Sequence, residues 1–248
     1  MKEYTGFAEV YDEFMSNIPY DEWVEKIDRY LQAKSCGRRI LELGCGTGSF
    51  TLRMKRKGYE ILGTDFSMDM LRIARKKAKR QKICCEFQFQ DMRALELDEE
   101  FDCVVSVCDS MNYMTGKFDL ESAFSSVLGV LKPGGIFLFD MKTESFYREL
   151  GENIYVDETD TGDYVWKNFY DCASKDNYYE LNIYIKGRGN RYIKHSEEHL
   201  QHAFTMEEVV ECAEKCGFII KEILGMDLLS PGDYNAERVY YVLERKKS

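Results

Sequence analysis

Along residues 38–141 the hydrophobic positions follow two alternating spacings. Short apolar runs are each followed by a segment in which apolar residues recur every three or four positions. Unbroken apolar runs are typical of strands buried on both faces, and the wider spacing is typical of amphipathic helices. The predicted strands are 38–43, 59–65, 84–91, 101–109 and 135–141, and the predicted helices are 48–57, 68–80 and 119–131. This alternation predicts an α/β fold with a mostly parallel sheet and helices on both of its faces.

Residues 143–202 have a different pattern. They are rich in Tyr, Asp and Asn, and apolar and polar residues alternate along 164–171, 178–187 and 191–204. A period of two is typical of half-buried antiparallel strands, and the turn-forming residues at 187–190 fit a tight connection. The segment is therefore predicted to be an antiparallel β insert after the fifth strand.

After the insert the first pattern resumes. Thr205 and Glu208 have the spacing of a capping box, and Gly217 is a candidate C-cap for the helix between them. Two further strands are predicted at 218–224 and 237–245. With the five earlier strands they complete a seven-stranded sheet.

The chain before residue 37 is predicted to be helical, with Pro19 between two segments. The apolar residues that recur there at helical spacing are Phe7, Val10, Tyr11, Phe14, Met15, Trp23, Ile27, Tyr30 and Leu31. The sequence thus divides into an N-terminal helical segment (1–36), an α/β core (37–142 and 203–248) and the insert (143–202).

Composition narrows the classes of function. Lys and Arg number 34 against 44 Asp and Glu, a net charge of −10, and such a surface repels a phosphate backbone, so no nucleic-acid partner is expected. No apolar run approaches the ~20 residues of a membrane span, so no membrane partner is expected, and the N-terminus lacks the features of a signal peptide. The nine cysteines contain no CxxC pair, which favours reduced thiols in the cytoplasm and argues against a metal site.

The strongest chemical signal is ILELGCGTGSF at residues 40–50. Three alternating glycines between a strand and a helix let a ligand approach the main-chain N–H groups. The spacing is GxGxG rather than the GxGxxG that binds a dinucleotide pyrophosphate. Glu42 precedes the glycines, and its carboxylate would repel a pyrophosphate but attract a cation. The motif therefore predicts a ligand with a positively charged end.

Two carboxylates follow the next two predicted strands. Asp65 closes 59–65 and Asp91 closes 84–91. Ligands of open parallel sheets bind at the carboxyl ends of the strands, so both side chains are expected beside the glycine turn. There, an Asp after the second strand can accept hydrogen bonds from both ribose hydroxyls, and one after the third can accept an adenine amino group.

These residues resemble the class I S-adenosylmethionine-dependent methyltransferases. The matching motifs are ELGCGTG, GTDFS, FQDMR, FDCVVSVCDSMNY and LKPGGIFLFDM. The YDEFM opening and the EEHLQHAF strand are similar to those of small-molecule members, including N,N-dimethyltransferases that act on amino sugars. The resemblance implies a Rossmann-like fold, S-adenosylmethionine as cofactor and S-adenosylhomocysteine as product.

The resemblance also implies how the cofactor is held at its methionine end. Glu42, Gly44 and Gly46 would line the methionine half, with Cys45 between the two glycines as a further binding residue. Tyr11 matches a lid tyrosine that reaches the cofactor carboxylate, although packing of the N-terminal helix is an alternative role. Segments 1–36 and 143–202 would then cover the mouth of the site.

At the other end, the resemblance implies that Asp65 binds the ribose and that Phe66 and Met70 contact the adenine. Asp91 and Met92 would hold the adenine edge. In a separate loop after the fourth strand, Cys108 would contact the cofactor where its sulfonium meets the acceptor.

The acceptor chemistry is less specific. The chain lacks the (N/D)PP(Y/F) loop of adenine-N6 and glutamine methyltransferases and the Pro-Cys of cytosine-C5 enzymes, which favours direct in-line transfer to N or O of a small molecule. A general base is needed only for an acceptor that arrives protonated. Asp109, His199 and His202 are the candidates, with plain structural roles as the alternative for the histidines. By strand alternation His195 and His199 share a face and His202 faces the other way.

Three other interpretations stay open at this stage. A nicotinamide oxidoreductase is disfavoured by the GxGxG spacing and by Glu42. A protein or RNA methyltransferase is disfavoured by the acidic balance, and the basic run 75–82 is predicted to be a solvated helix end. A non-catalytic protein that binds the cofactor is compatible with every motif. The acceptor and the oligomeric state have no sequence signal.

Overall fold

The computed structural model describes residues 11–14, 18–159, 162–187, 189 and 191–247. The strands in these ranges are β1 (Arg39–Leu43), β2 (Glu60–Asp65), β3 (Glu86–Phe89), β4 (Phe101–Ser106), β5 (Leu131–Lys142), β6 (Asn153–Glu158), β7 (Gly162–Asp171), β8 (Asp176–Lys186), β9 (Tyr192–His202), β10 (Phe218–Leu224) and β11 (Arg238–Arg245). The α-helices are α1 (Tyr11–Phe14), α2 (Tyr20–Ala33), α3 (Ser49–Arg56), α4 (Met68–Gln81), α5 (Lys117–Val130), α6 (Glu144–Leu150) and α7 (Met206–Cys216). A short 3-10 helix spans Ser110–Tyr113.

Seven strands form one sheet in the order β10-β11-β5-β4-β1-β2-β3. The pairs from β5 through β3 are parallel, whereas β11 runs antiparallel to both of its neighbours. The strand order reverses between β1 and β4, so their carboxyl ends flank the crevice where such sheets bind ligands. The predicted seven-stranded, mostly parallel α/β fold is confirmed.

The sheet is buried on both faces. On β1, Leu41 belongs to a core with helices α5 and α7, while its neighbour Ile40 belongs to a core with α2 and α3. Both side chains are fully buried. Because successive strand residues point to opposite faces, burial on both faces requires the near-continuous apolar runs seen in the sequence.

The insert is an antiparallel sheet in the order β6-β7-β8-β9, as predicted. Two of its elements, α6 and β6, were absent from the sequence prediction. Helix α6 buries only Tyr147 among its seven residues, so it has no helical apolar stripe. Strand β6 is exposed at every position and joins the sheet through β7 alone, so it has no alternating pattern of burial.

The capping box before α7 is present. The Thr205 hydroxyl accepts a hydrogen bond from the Glu208 N–H at 3.2 Å, and the Glu208 carboxylate accepts one from the Thr205 N–H at 2.9 Å. Gly217 ends the helix with a φ of 99°. These local signals fix where the chain returns from the insert to the main sheet.

The N-terminal helices are separated at Pro19, as predicted, and α2 packs its apolar face on the sheet through Val24, Ile27 and Leu31. Phe7, Val10 and Met15 lie outside the described residues. None of the described helices is both long enough and apolar enough to cross a bilayer.

Candidate active site

A cavity of about 860 Å³ lies between the carboxyl ends of the parallel strands and the inner face of the insert. All eleven residues predicted to bind the cofactor lie on its wall, namely Tyr11, Glu42, Gly44, Cys45, Gly46, Asp65, Phe66, Met70, Asp91, Met92 and Cys108. The structure thus brings these residues together, while their individual roles toward the cofactor stay predictions.

The glycine turn presents bare backbone to this cavity. Gly44 and Gly46 have φ of 68° and 53°, values that a residue with a side chain rarely adopts. A Cβ on Gly44 would lie 2.5 Å from the Ser110 hydroxyl, whereas a Cβ on Gly46 would meet no atom within 4 Å. The open space at Gly46 leaves room for a ligand to come close to the backbone of the turn.

Asp65 ties this turn to the end of β2. Its carboxylate accepts hydrogen bonds from the N–H groups of Gly46 and Ser67, each at 2.8 Å. Burial raises the pKa of Asp65, although these backbone hydrogen bonds oppose the shift. The carboxylate therefore holds the turn in shape and still reaches the cavity wall.

Glu42 is fully buried on β1, and Thr51 donates a short hydrogen bond to it. Burial raises its pKa to about 8, with a further contribution from the charge of Asp65. A cation bound nearby would favour the ionised form and lower that pKa. The arrangement fits a ligand with a positively charged end.

The predicted position of Asp91 at the end of a strand is wrong. Strand β3 ends at Phe89, opposite Asp65, because the pairing partner β2 ends there. Asp91 lies two residues further on, and the Arg93 guanidinium holds its carboxylate in a fork with nitrogen–oxygen distances of 3.0 and 2.7 Å. The hydrogen bonds from Arg93 lower the pKa of Asp91. The residue still lines the cavity, but as half of an ion pair.

Helix α1 lies over the glycine turn. The Asp12 carboxylate pairs with the Lys77 ammonium at 2.6 Å and accepts a hydrogen bond from the Thr47 hydroxyl at 2.6 Å. Tyr11 packs against the apolar cluster that Met70 forms with the insert residues Leu181 and Ile183. The N-terminal segment therefore contacts both the cofactor side and the insert.

Lys77 also corrects the prediction of a solvated basic run at 75–82. Its side chain is only 10% exposed, and its ammonium donates to the Ser49 hydroxyl at 2.9 Å as well as to Asp12. Burial lowers the pKa of Lys77, and its pairing with Asp12 opposes that shift. One residue of the run is thus a structural cation beneath α1.

The loop after β4 is held by charged side chains from distant strands. Cys108 and Asp109 both have positive φ, 65° and 52°. Asp109 accepts hydrogen bonds from the Arg238 guanidinium at 2.8 Å and from the Gln201 amide at 3.0 Å. Burial disfavours its charged form, but the charges of Lys142 and Arg238 outweigh burial and lower the pKa of Asp109. A paired, ionised Asp109 is suited to holding the loop rather than to taking a proton.

Cys108 lies beside this ion pair. Burial raises its pKa to about 11, with a further contribution from the charge of Asp109. Its side chain at neutral pH is therefore a neutral thiol on the cavity wall. A thiol that stays protonated contributes packing and polarizability to the site, and it is a poor nucleophile.

The structure does not bring either candidate histidine to the cavity wall. The His199 imidazole lies behind Tyr113 and Tyr179, which do line it. The His202 imidazole faces the other way, as strand alternation predicted, and pairs with the Asp176 carboxylate at 2.7 Å. Among the three catalytic candidates, only Asp109 reaches the cavity.

The sequence prediction missed the polar residues on the acceptor side. They are Tyr113, Lys142, Tyr147, Trp166, Tyr179, Gln201 and Arg238. The available signal was weak, since Arg238 is one charge at the start of an apolar strand and Gln201 is one polar residue in an alternating run. Among the described residues, no cluster of His, Cys, Asp and Glu has the arrangement of a metal site.

Comparison with known proteins identifies the family of the α/β core. Residues 40–135 match the model of a methyltransferase domain family. The putative methyltransferase YqeM of Bacillus subtilis (strain 168) is 34% identical over 247 residues, which cover 99% of this chain and 98% of that protein.

Solved structures agree with this assignment. The S-adenosylmethionine-dependent methyltransferase of Clostridium acetobutylicum ATCC 824 has a TM-score of 0.87 at 25% identity, covering 98% of this chain and 99% of that one. The sugar N-methyltransferase KedS8 of Streptoalloteichus sp ATCC 53650 shares the fold with a TM-score of 0.78 at 19% identity, covering 96% and 93% of the two chains. The chain belongs to the class I S-adenosylmethionine-dependent methyltransferases, and S-adenosylmethionine is its cofactor.

Proposed function

We propose that the protein transfers the methyl group of S-adenosylmethionine to a nitrogen or oxygen atom of a small molecule by direct in-line displacement. The observation that supports this most is the second half of the cavity. Beyond the glycine turn, the wall is formed by the loop after β4 and by the inner face of the insert. That space lies where an acceptor has to meet the cofactor.

The cofactor half fits the predicted contacts. We place the methionine end against Gly44 and Gly46, with its ammonium toward Glu42, and the ribose hydroxyls on Asp65. The adenine would lie between Phe66 and the 91–92 segment. When bound, the sulfonium supplies an already activated methyl group, so the protein has mainly to position the acceptor and exclude water.

The acceptor half is aromatic with a few fixed polar groups. Tyr113, Tyr147, Trp166 and Tyr179 provide ring faces and edges, and π-faces attract the cationic charge of a sulfonium. Asp109, pinned by Arg238, would hold the loop that carries Cys108 against the cofactor. The shared fold with a sugar N-methyltransferase makes an amino sugar the first acceptor class to test.

The division of the chain has a role in this proposal. Segment 1–36 and the insert 143–202 would act as two covers over the core formed by 37–142 and 203–248. The packing of Tyr11 against the cluster that contains Met70 and Leu181 supports a joint closure. The cytoplasm is the proposed compartment, in line with the nine free cysteines.

Ligand-dependent stability tests the cofactor half. S-adenosylmethionine and S-adenosylhomocysteine should each raise the thermal midpoint, because a ligand that binds only the folded state stabilises it. NAD and NADP should leave the midpoint unchanged. A shift with the nicotinamide pair and none with the sulfonium pair would overturn the placement of the cofactor.

Radiolabelled methyl transfer tests the acceptor half. The protein and methyl-labelled S-adenosylmethionine are incubated with amino sugars such as glucosamine, with the corresponding hydroxyl sugars, and with total RNA and a denatured protein mixture. Label in the small-molecule fraction supports the proposal. Label confined to RNA or protein would show that the acceptor is that macromolecule and not a small molecule. Cofactor binding without transfer to any fraction would favour a non-catalytic binding protein.

A further inference from the structure

A chain of contacts leads from the acceptor half of the cavity to a buried carboxylate. The hydroxyl oxygens of Tyr113 and Tyr179 lie 2.7 Å apart on the cavity wall. The Tyr113 hydroxyl also lies 3.1 Å from Nδ1 of His199. On the far side of the imidazole, Nε2 lies 3.5 Å from the Glu197 carboxylate.

These groups are held by the fold rather than by chance contact. Tyr179 on β8 is directly opposite His199 on β9, and their rings stack with centroids 4.5 Å apart. Asn112 donates to the backbone carbonyls of Lys142 and His202, which fixes the 3-10 helix that carries Tyr113.

The far end of this chain of contacts is buried. The side chains of His199 and Glu197 are 0% and 2% exposed. A carboxylate so deeply buried is costly unless a donor faces it, and Nε2 faces the Glu197 carboxylate at 3.5 Å, an ion-pair distance without hydrogen-bond geometry. With hydrogen on Nε2, Nδ1 is an acceptor and the Tyr113 hydroxyl would donate to it, so the tautomer decides the direction of this hydrogen bond.

We propose that Tyr113 is a catalytic residue that removes a proton from the methyl acceptor, with His199 and Glu197 as positioning residues that receive and stabilise that proton. This inference rests on the proposed function, because it requires an acceptor in the cavity. It also specifies the acceptor as a protonated amine or a hydroxyl, which has a proton to lose.

The step balances as a relay. The acceptor proton passes to the Tyr113 oxygen while the Tyr113 proton passes to Nδ1 of His199, which leaves an imidazolium beside the Glu197 carboxylate. The freed lone pair of the acceptor forms the new bond to the methyl carbon as the sulfur–carbon bond breaks and its electron pair stays on sulfur. The proton then returns to solvent when the product leaves.

Other groups on the same wall are less suited to this step. Asp109 is ionised but bound to Arg238 and Gln201, so protonating it would break two hydrogen bonds. Glu237 lines the cavity without a hydrogen-bonded connection to Tyr113 among the contacts that the structure describes. Among the contacts that the structure describes, the titratable groups that face His199 are Tyr179 from β8, Tyr113 from the 3-10 helix and Glu197 from its own strand.

The tautomer tests the relay without any acceptor. The chain has three histidines, so the imidazole nitrogen signals of ¹⁵N-histidine-labelled protein can be assigned by single substitutions. We expect His199 to carry its hydrogen on Nε2 in the protein and in its S-adenosylhomocysteine complex, and Tyr113→Phe to move the Nδ1 signal. Hydrogen on Nδ1, or a signal unmoved by Tyr113→Phe, overturns the relay.

Kinetics test the proton transfer itself, with the amine of the panel that is methylated fastest. His199→Asn places an amide oxygen near the position of Nδ1, so Tyr113 keeps a hydrogen-bond acceptor but loses the group that takes its proton. We expect kcat to fall about 100-fold or more in His199→Asn and in Tyr113→Phe, the low end of general-base contributions. The pH at which kcat rises or falls should shift in both variants, and their affinity for S-adenosylhomocysteine should be unchanged.

Tyr170→Phe is the matched control. Tyr170 is a buried tyrosine of the insert whose hydroxyl has no hydrogen-bond partner among the described atoms and does not line the cavity. Its loss should leave kcat, the pH profile and the His199 signal unchanged. If His199→Asn keeps the wild-type kcat and pH profile, the relay is wrong although the methyltransferase proposal stands. If the wild type methylates no probe but His199 carries its hydrogen on Nε2, the proposed acceptor class is wrong. The chain of contacts from Tyr113 to Glu197 is then still supported.

Discussion

The two halves of the cavity are built in different ways. Apart from Tyr11 and Cys108, the cofactor half comes from one stretch of chain, residues 40–92. It is shaped by backbone turns such as the one at Gly46, whose N–H donates a hydrogen bond to Asp65 19 residues later. The acceptor half is assembled from side chains far apart in sequence. Asp109 meets Gln201 across 92 residues and Arg238 across 129. A site made of turns is local and recurs across a family, whereas a site made of crossing side chains depends on the whole fold.

If this contrast is right, the largest effect on stability comes from the acceptor half. Arg238→Met removes the cation that faces the fully buried Asp140 and the largely buried Asp109, whose side chain is 17% exposed. Breaking a buried pair by removing one partner costs about 3–5 kcal/mol, so denaturant unfolding should show a loss of that size. Lys117→Met breaks the exposed pair with Glu211 and should leave the free energy of unfolding nearly unchanged, because solvent screens exposed ion pairs. Equal losses in the two variants would mean that the acceptor half does not depend on this ion pair.

The corresponding test of the cofactor half is Asp65→Ala. The variant loses a carboxylate proposed to accept two ribose hydroxyls, so binding of S-adenosylhomocysteine should weaken by roughly 2–4 kcal/mol, about 30- to 1000-fold, measured by calorimetry. Asp69→Ala, four residues away on helix α4 and ion-paired with Arg72 at 3.6 Å, is the control and should bind normally. Normal binding by Asp65→Ala would show that the ribose lies elsewhere.

The pH dependence of stability tests the state of Glu42 in the cofactor half. Its folded pKa is raised from 4.5 to about 8 by burial, so its contribution to stability is complete below pH ~4.5 and is lost as the pH rises toward 8. The free energy of unfolding of the wild type minus that of Glu42→Gln should therefore fall by about 2–3 kcal/mol between pH 5 and 7. A difference that does not change with pH would mean that Glu42 is already ionised in the folded protein. Bound S-adenosylmethionine should reduce the slope, because its ammonium favours the carboxylate.

The smallest expected effect is at Tyr11, where the two halves meet. Its hydroxyl interacts with the side chains of Tyr20 and Cys108. Tyr11→Phe should weaken cofactor binding by about 0.5–1.5 kcal/mol, the value of one hydrogen bond. Limited proteolysis adds a second readout, since a cover that closes over the cofactor should be cleaved more slowly within residues 1–20 when S-adenosylhomocysteine is present. Equal cleavage rates would leave Tyr11 as a packing residue.

The contrast between the halves also explains what the sequence could predict. The glycine spacing together with the resemblance to the methyltransferases predicted eleven residues that all lie on the cavity wall, because the glycine turn and the loops that follow the strands are local features of the sequence. Asp91 was displaced from its predicted strand end because pairing with β2 stops at Phe89, which depends on a neighbouring strand.

The acceptor half was less predictable for a related reason. His199 and His202 were considered by residue type, and the structure places one behind two tyrosines and the other against Asp176. Arg238 and Gln201 become part of the site only when β9 and β11 bring them to Asp109. These contacts join residues that are far apart in sequence and leave no spacing pattern along the chain. Neither residue propensity nor periodicity can therefore predict them.

The position of β11 between β10 and β5 has a consequence for how the molecule is made. Arg238 begins β11 and pairs with Asp140, 98 residues earlier. The hairpins of the insert close short loops, which is fast, whereas joining β11 to β5 has to close a long one and comes late. On a ribosome, the glycine turn and the insert would emerge well before the strand that joins them into one site. Until then the edge of β5 is unpaired and open to pairing with another chain, so this interval is when aggregation competes most with folding.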